Sequence, residues 1–250
     1  MAPRSLDRLA ARAGYAAGTL AGRYPRLALP IARRRGHGSV AGPETTIVIE
    51  GYPRSGNYFA VAAFQVAQPR PVPIAHHTHA PANVIAGLRL GVPVLVLVRD
   101  PEEAVVELVG IKPFLSVPLA LRGYLRFYEP LLRLGDRFVA GSFEGVTADF
   151  GSVIRQVNER FGVHFSEFEH TKENLEAVEV ESARLAGSRT GPGLPLMRTE
   201  RPPEAAEASG TRDSLDALHR AYRSSSLAGL RRRARRVHDL LVGTVVESSR

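Results

Sequence analysis

A loop with the spacing of a phosphate-binding site follows the first long apolar run of the chain. Residues 47–64 read IVIEGYPRSGNYFAVAAF, where Gly51 and Gly56 have the G-x-x-x-x-G spacing of a loop between a buried strand and a helix. A loop that holds Mg-ATP or Mg-GTP continues with Lys and Ser or Thr, whereas this one continues with Asn57 and Tyr58. Glycines let backbone N–H groups approach an anion, and the helix start adds partial positive charge. The pattern predicts an anion site without lysine or metal, although a ligand-free turn has the same spacing.

Arginine and histidine residues stand in or after three of the apolar runs. Arg54 lies inside the loop, and Arg99 ends the run GVPVLVLVRDP. Each guanidinium presents a fork of donors that suits a phosphate or sulfuryl group. His76, His77 and His79 follow the run VPIA, and two of them share a face of an extended strand, but no third ligand accompanies them as a metal site requires. A general base at His79 is favoured over a metal site, and a hydrogen-bonded histidine in a turn stays open.

Strands and helices alternate along the chain in a way that brings these residues together. Continuous apolar runs of strand length alternate with segments of helical period, which predicts an α/β fold with a P-loop-like doubly wound parallel sheet flanked by helices. In such a sheet, ligands bind beyond the carboxyl ends of the strands. Glu50, Gly51, the histidine segment 77–79 and Arg99 all stand at such ends. The predicted strands are 45–50, 72–77, 91–101 and 136–143, and the predicted helices are 57–68, 82–90, 101–115, 117–136 and 147–162.

Four segments in this order resemble the sulfotransferase family. GYPRSGN at 51–57 resembles the family's 5′-phosphosulfate loop, Y-P-[KR]-S-G-[TN]-T. THAP at 78–81 resembles the end of the second strand, where a histidine is the catalytic base. VLVRDPEEAVVEL at 96–108 resembles the 3′-phosphate motif, R-[ND]-P-x-[DE]-x-x-x-S, and VIRQVNERFGVHF at 153–165 is similar to the helix after the fourth strand. The resemblance covers roughly residues 45–170.

The resemblance implies a metal-independent enzyme that uses 3′-phosphoadenosine 5′-phosphosulfate (PAPS). Arg54 would stabilise charge on the sulfuryl and bridging oxygens, His79 would take the proton of an acceptor hydroxyl, and Arg99 would bind the 3′-phosphate. Backbone N–H groups from Ser55 to Tyr58 would hold the 5′-phosphate. The implied partner is a small-molecule, lipid or glycan hydroxyl acceptor. The catalytic residues are then Arg54 and His79, and the cofactor-binding residues are Arg54, Ser55, Gly56, Asn57, Tyr58, Arg99 and Glu107.

Three positions depart from the family pattern. Tyr58 replaces the second hydroxyl residue after the loop glycine, and Glu107 replaces the serine eight residues after Arg99. A carboxylate there would repel a phosphate. The family's C-terminal arginine–glycine segment has only loose candidates at 189–191 and 198–201. These departures leave an alternative, a non-catalytic or altered-specificity nucleotide- or phosphate-binding protein on the same fold. A nucleotide kinase or NTPase is disfavoured by Asn57 and Tyr58.

The chain has 250 residues and contains no cysteine. Its positive charge is concentrated at the two ends. Residues 1–40 carry a net charge of +7 and residues 211–250 carry +5, whereas the middle carries −4. Arg outnumbers Lys by 31 to 2, which is typical of a GC-rich bacterial genome. We expect a basic leader over 1–43, one sulfotransferase-like domain over 44–250, a loop or lid over 187–211 and a basic helix over 212–241. The basic ends are compatible with contact to a membrane surface, although solubility alone explains them; we expect a cytoplasmic protein without a nucleic-acid partner.

Overall fold

The protein contains a four-stranded parallel sheet. The computed structural model describes residues 5–36, 38–187 and 209–247. The strands are β1 (Ile47–Gly51), β2 (Ile74–His76), β3 (Val94–Val98) and β4 (Val139–Ser142), in the order β2-β1-β3-β4 with every neighbouring pair parallel. The predicted parallel α/β sheet is therefore confirmed.

Helices cover both faces of this sheet. Alternate residues of a strand point to opposite faces, and Val48 belongs to one buried cluster whereas Ile47 and Ile49 belong to the other. Helices α4, α5, α6 and α11 contribute to the first cluster, and α3, α8 and α9 contribute to the second. The helices of the described residues are α1 (Ser5–Ala21), α2 (Pro25–Arg35), α3 (Asn57–Ala67), α4 (Pro81–Leu90), α5 (Pro101–Ile111), α6 (Val117–Leu132), α7 (Phe143–Ala148), α8 (Phe150–Phe161), α9 (Lys172–Gly187), α10 (Ser209–Arg223) and α11 (Ala228–Glu247).

Local sequence signals start the helices that leave the site. Pro81 stands in the first turn of α4, where its missing N–H costs nothing. Asp100 caps α5, because its carboxylate accepts from the backbone N–H groups of Glu102 at 2.8 Å and Glu103 at 3.2 Å. Arg99 is thereby held at the junction of β3 and α5, and Glu107 follows it by two turns of α5.

The basic N-terminal segment is packed against the sheet-containing body. Arg12 Nε donates to Phe114 O at 2.6 Å, and the hydroxyls of Tyr15 and Tyr52 lie 3.2 Å apart. Ala82 N donates to Gly22 O at 2.8 Å, which joins the turn after α1 to α4. Helix α1 therefore lies against α6 close to the loop that follows β1.

The prediction of one continuous C-terminal helix over 212–241 is wrong, because two separate helices occupy this part of the chain. Helix α10 ends at Arg223, and a short 3-10 turn over Ser225–Leu227 separates it from α11. Serine hydroxyls compete with helical backbone bonds, and Ser224 Oγ lies 2.9 Å from Ser226 Oγ. The break also buries Leu227 in the core.

Part of the predicted loop or lid over 187–211 lies outside the described residues, as do both candidate C-terminal arginine segments. Within residues 5–36, 38–187 and 209–247, no helix is long and apolar enough to cross a membrane.

Candidate functional site

The carboxyl ends of three strands lie side by side at one edge of the sheet. Gly51 of β1 is in register with Leu97 of β3, and Ile49 is in register with His76 of β2. The loop after β1, the turn after β2 and Arg99 after β3 therefore start at the same edge. The chain places β2 on one side of β1 and β3 on the other. A parallel sheet forms its ligand crevice at such a change in strand order.

The loop after β1 is tightly wound. A Cβ atom at Gly51 would lie 2.8 Å from Leu97 O, so only glycine allows β1 and β3 to approach this closely here. Gly56 has φ 82° immediately before α3, and Arg54 has φ 74°, which is an uncommon conformation for a residue with a side chain. Asn57 Nδ2 donates to Tyr52 O at 3.1 Å and closes the loop. The loop thus holds Arg54 in a strained backbone conformation, of a kind that clusters at functional sites.

Arg54 and Arg99 meet at the carboxylate of Glu107. Arg54 Nη2 lies 2.8 Å from Glu107 Oε2, and Arg99 Nη2 lies 2.6 Å from Glu107 Oε1. Both arginine side chains are 13% exposed and that of Glu107 is 31% exposed. Burial by itself would raise the pKa of Glu107, but the hydrogen bond and charge of Arg99, together with those of Arg54, lower it below the usual value. One anion therefore bridges two cations at the strand ends.

Arg99 is fixed by three further contacts. Its Nη1 donates to Arg54 O at 2.9 Å, and Tyr124 Oη donates to Arg99 O at 2.9 Å. The guanidinium carbon lies 4.1 Å from the centre of the Phe143 ring, which is a favourable cation–π distance. The arginine is therefore preorganised, and Glu107 need not order it.

The loop residues after Arg54 turn their side chains inward. Ser55 Oγ lies 3.2 Å from Tyr128 Oη and is buried, and Ser55 N donates to Tyr52 O at 3.2 Å. Tyr58 is buried with its ring 4.2 Å from the ring of His77. Asn57 is also buried, and no described residue donates to its Oδ1. Ser55, Asn57 and Tyr58 are therefore part of the protein interior and not of its exposed surface.

His79 lies beside the loop in a turn held by a buried carboxylate. His79 has φ 49° and its Nδ1 lies 2.9 Å from Gly51 O. Because a carbonyl oxygen only accepts, Nδ1 carries a proton, and Nε2 is the basic nitrogen of the neutral ring. Glu50 accepts from Thr78 N at 2.7 Å, Thr78 Oγ1 at 2.7 Å and His79 N at 3.2 Å. The turn therefore presents His79 in one tautomer.

The environment of Glu50 is unusual for a charged group. The side chain is fully buried, and Asn83 Nδ2 donates to it at 2.9 Å. Burial raises the pKa of Glu50 above its usual value, against the hydrogen bonds from Thr78, Asn83 and His79. Asn83 Oδ1 also accepts from Ala41 N at 2.8 Å, so the same network ties the segment before β1 to the site.

Sequence reasoning missed several supporting residues. Tyr128 Oη donates to Leu97 O at 2.6 Å and accepts from Tyr52 N at 3.2 Å, so it braces both neighbouring strand ends. Tyr124 and Tyr128 are buried at helical spacing on α6, and their hydroxyls hold the backbone of the site. The signal for Glu50 was a charged residue inside an apolar strand, where an unpaired charge is costly.

The fold and the site together define a parallel α/β protein with two arginines converging at the carboxyl edge of its sheet. No protein-family model and no curated protein matches the chain. Among solved structures, the chain is similar to mouse sulfotransferase SULT7A1 complexed with PAP, with 12% identity and a TM-score of 0.39 over 82% of this chain and 91% of that one.

Proposed function

We propose that this protein is a sulfotransferase-like enzyme that transfers a sulfuryl group from PAPS to an acceptor hydroxyl without a metal ion. The observation that carries the proposal is the convergence of Arg54 and Arg99 on one carboxylate at the end of β1 and β3. Two guanidinium groups that already share one carboxylate at a strand–loop–helix junction suit an anionic group of a ligand at the same place. The resemblance of the four sequence segments supports the same ligand class.

The residues of the loop fit the 5′ end of such a donor. Helix α3 begins at Asn57, and the N–H groups of its first turn have no acceptor within the helix. They and the positive end of the helix dipole attract an anion. Ser55 N is already bonded to Tyr52 O, so the binding groups start at Gly56. Arg54, on the same loop, would stabilise charge on the sulfuryl oxygens.

In this proposal Arg99 binds the 3′-phosphate, and Glu107 competes with the phosphate for Arg99. Arg99 is held by Tyr124, Phe143 and Arg54 O independently of Glu107, so its position would persist if the carboxylate moved. The Glu107 carboxylate lies between the two arginines and pairs with both. This shows that the two arginines accommodate an anion, but the carboxylate would compete with a phosphate for the same position. The side chain is partly exposed, so a phosphate bound at this place would require it to rotate toward solvent.

His79 is suited to accept the proton of the acceptor hydroxyl. The bond to Gly51 O keeps the proton on Nδ1, so Nε2 is the nitrogen that would accept a further proton. When bound, the donor supplies an activated sulfuryl group, and the protein supplies position and charge stabilisation.

One observation favours a second candidate function. Glu107 forms ion pairs with both arginines. With these cations already paired, the protein would bind a nucleotide with altered specificity, or another phosphorylated ligand, without catalysing a reaction. This candidate shares the binding site and differs only in the absence of turnover.

Calorimetric titration with adenosine 3′,5′-bisphosphate, in the presence of a metal chelator and with ADP as the control, tests the proposed site. Metal-independent binding that prefers the 3′-phosphate supports it; equal binding of both nucleotides, or none, overturns it. Sulfated product formed from PAPS and a panel of hydroxyl acceptors without added Mg²⁺ then favours the enzyme. Tight nucleotide binding without product favours the second candidate.

A further inference from the structure

Large apolar side chains on α1, on α2 and at the residue before α2 are exposed to solvent. These side chains have 45% to 75% of their surface exposed. We call them the N-terminal stripe: Leu6, Leu9, Leu20, Tyr24, Leu27 and Ile31. A surface helix of a globular protein normally turns polar residues outward, so this stripe is the reverse of the usual arrangement.

The stripe follows from helix geometry. At 100° per residue, Leu6, Leu9 and Leu20 fall within roughly 80° of the circumference of α1, and the exposed Ala13 and Ala17 fall in the same arc. The opposite face of α1 carries Tyr15, which packs toward Tyr52. The face of α1 with Tyr15 therefore packs against the rest of the protein, and the face with the leucines is exposed to solvent.

The charge around the stripe is positive and uncompensated. Residues 5–36 contain seven arginines and one acid, Asp7, for a net charge of +6. Among the described residues, none of these arginines lies within ion-pairing distance of a carboxylate. Arginines elsewhere differ: Arg155 pairs with Glu167, and Arg233 with Glu129.

We propose that α1 and α2 dock the protein in the plane of an anionic membrane surface. An apolar helix face flanked by arginines matches the two parts of such a surface, because leucines enter the acyl boundary while guanidinium groups meet lipid phosphates. A second copy of this chain fits poorly, since its own stripe would bring another net charge of +6 against the first. A nucleic acid would satisfy the arginines but leave the leucines against phosphates.

A tryptophan probe tests this docking, because the chain contains no tryptophan. Leu9→Trp places the probe in the stripe, and Leu175→Trp on α9 is the matched control, since Leu175 is also exposed. Vesicles of phosphatidylcholine mixed with phosphatidylglycerol should shift the emission of L9W to shorter wavelength and leave that of L175W unchanged. Vesicles of phosphatidylcholine alone should have a much smaller effect.

Flotation of the full chain with the same vesicles tests the charge. Replacing Arg34 and Arg35 by Ala should lower the partition coefficient of the protein onto the vesicles about five-fold for each arginine removed. Arg155→Ala should leave this partition coefficient unchanged. Added salt should weaken binding. Equal binding to neutral and anionic vesicles, or an unchanged L9W spectrum, overturns the proposal. An L9W shift that depends on protein concentration without vesicles also overturns it and indicates contact between copies.

Discussion

Arg99 Nη2 donates to Glu107 Oε1 at 2.6 Å, although Arg99 precedes α5 and Glu107 lies eight residues later on that helix. In the family that the sequence resembles, a serine stands at the position of Glu107 and a phosphate would meet it. Here a carboxylate makes the contact that the phosphate of the proposed donor would make. The strength of the proposed nucleotide binding should therefore depend on how readily Arg99 exchanges the Glu107 carboxylate for a phosphate.

Replacing Glu107 by Gln should strengthen binding of adenosine 3′,5′-bisphosphate. The variant removes the competing negative charge, and charge-assisted hydrogen bonds of this kind are worth roughly ten-fold or more in affinity. Calorimetric titration measures the change. Glu103→Gln is the matched control, because Glu103 lies on α5 but is exposed. Unchanged or weaker binding by E107Q would show that the carboxylate does not compete with the nucleotide.

Replacing Arg99 by Ala should weaken binding of 3′-phosphorylated nucleotides much more than binding of their 3′-hydroxyl analogues. Loss of a charge-assisted contact lowers affinity by roughly 10- to 100-fold, and only ligands with the 3′-phosphate make that contact. The measurement is a pair of titrations with adenosine 3′,5′-bisphosphate and ADP. Arg155→Ala, an exposed arginine in an ion pair on the surface, is the control. Equal weakening of both ligands would contradict the assignment of Arg99.

Replacing His79 should abolish turnover and preserve nucleotide affinity. General bases contribute roughly 10²- to 10⁴-fold to rate, and Nε2 of His79 is the proposed acceptor. His79→Asn is a useful companion to His79→Ala, because Asn tolerates the positive φ of this position but cannot take the proton. Rates and affinities are measured for both variants, with the exposed His164→Ala as control. Retained turnover in either His79 variant would remove the residue from this role.

Glu50 should make the free energy of unfolding fall as pH rises. Its pKa in the folded protein is raised above the ordinary value of 4.5. Its contribution is thus fully present below pH 4.5 and is lost as pH rises through the raised pKa. Glu50→Gln does not titrate, so the stability of wild type relative to E50Q should decline over that window. Urea denaturation across a pH series measures it.

Glu107 supplies a control of opposite sign in the same measurement. Its folded pKa is lowered from 4.5, so its contribution is present above that pH and is lost as pH falls through the lowered pKa. The stability of wild type relative to E107Q should therefore decline toward acid. If both variants changed in the same direction with pH, the environment described for one of the two carboxylates would be wrong.

Local patterns were sufficient to predict the parallel sheet and which residues stand at the ends of its strands. The apolar runs around Val48 and Val96, and the glycine spacing of the loop, indicate parallel strands with ligand groups at their ends. These signals are short in range, because strand burial, helix capping and tight turns depend on neighbouring residues. The helix over 212–241 was predicted as continuous because arginines, alanines and leucines favour a helix on both sides of the serines.

The sequence by itself determined which residues stand at the strand ends and that both ends of the chain are basic. Only the tertiary structure decided that Glu107 joins Arg54, 53 residues away, to Arg99, and that Tyr128 braces two strands. It also decided which face of α1 is buried, since either Tyr15 or the leucines could have packed inward. Pairing and packing of this kind depend on distances between segments far apart in the chain, which no local pattern records.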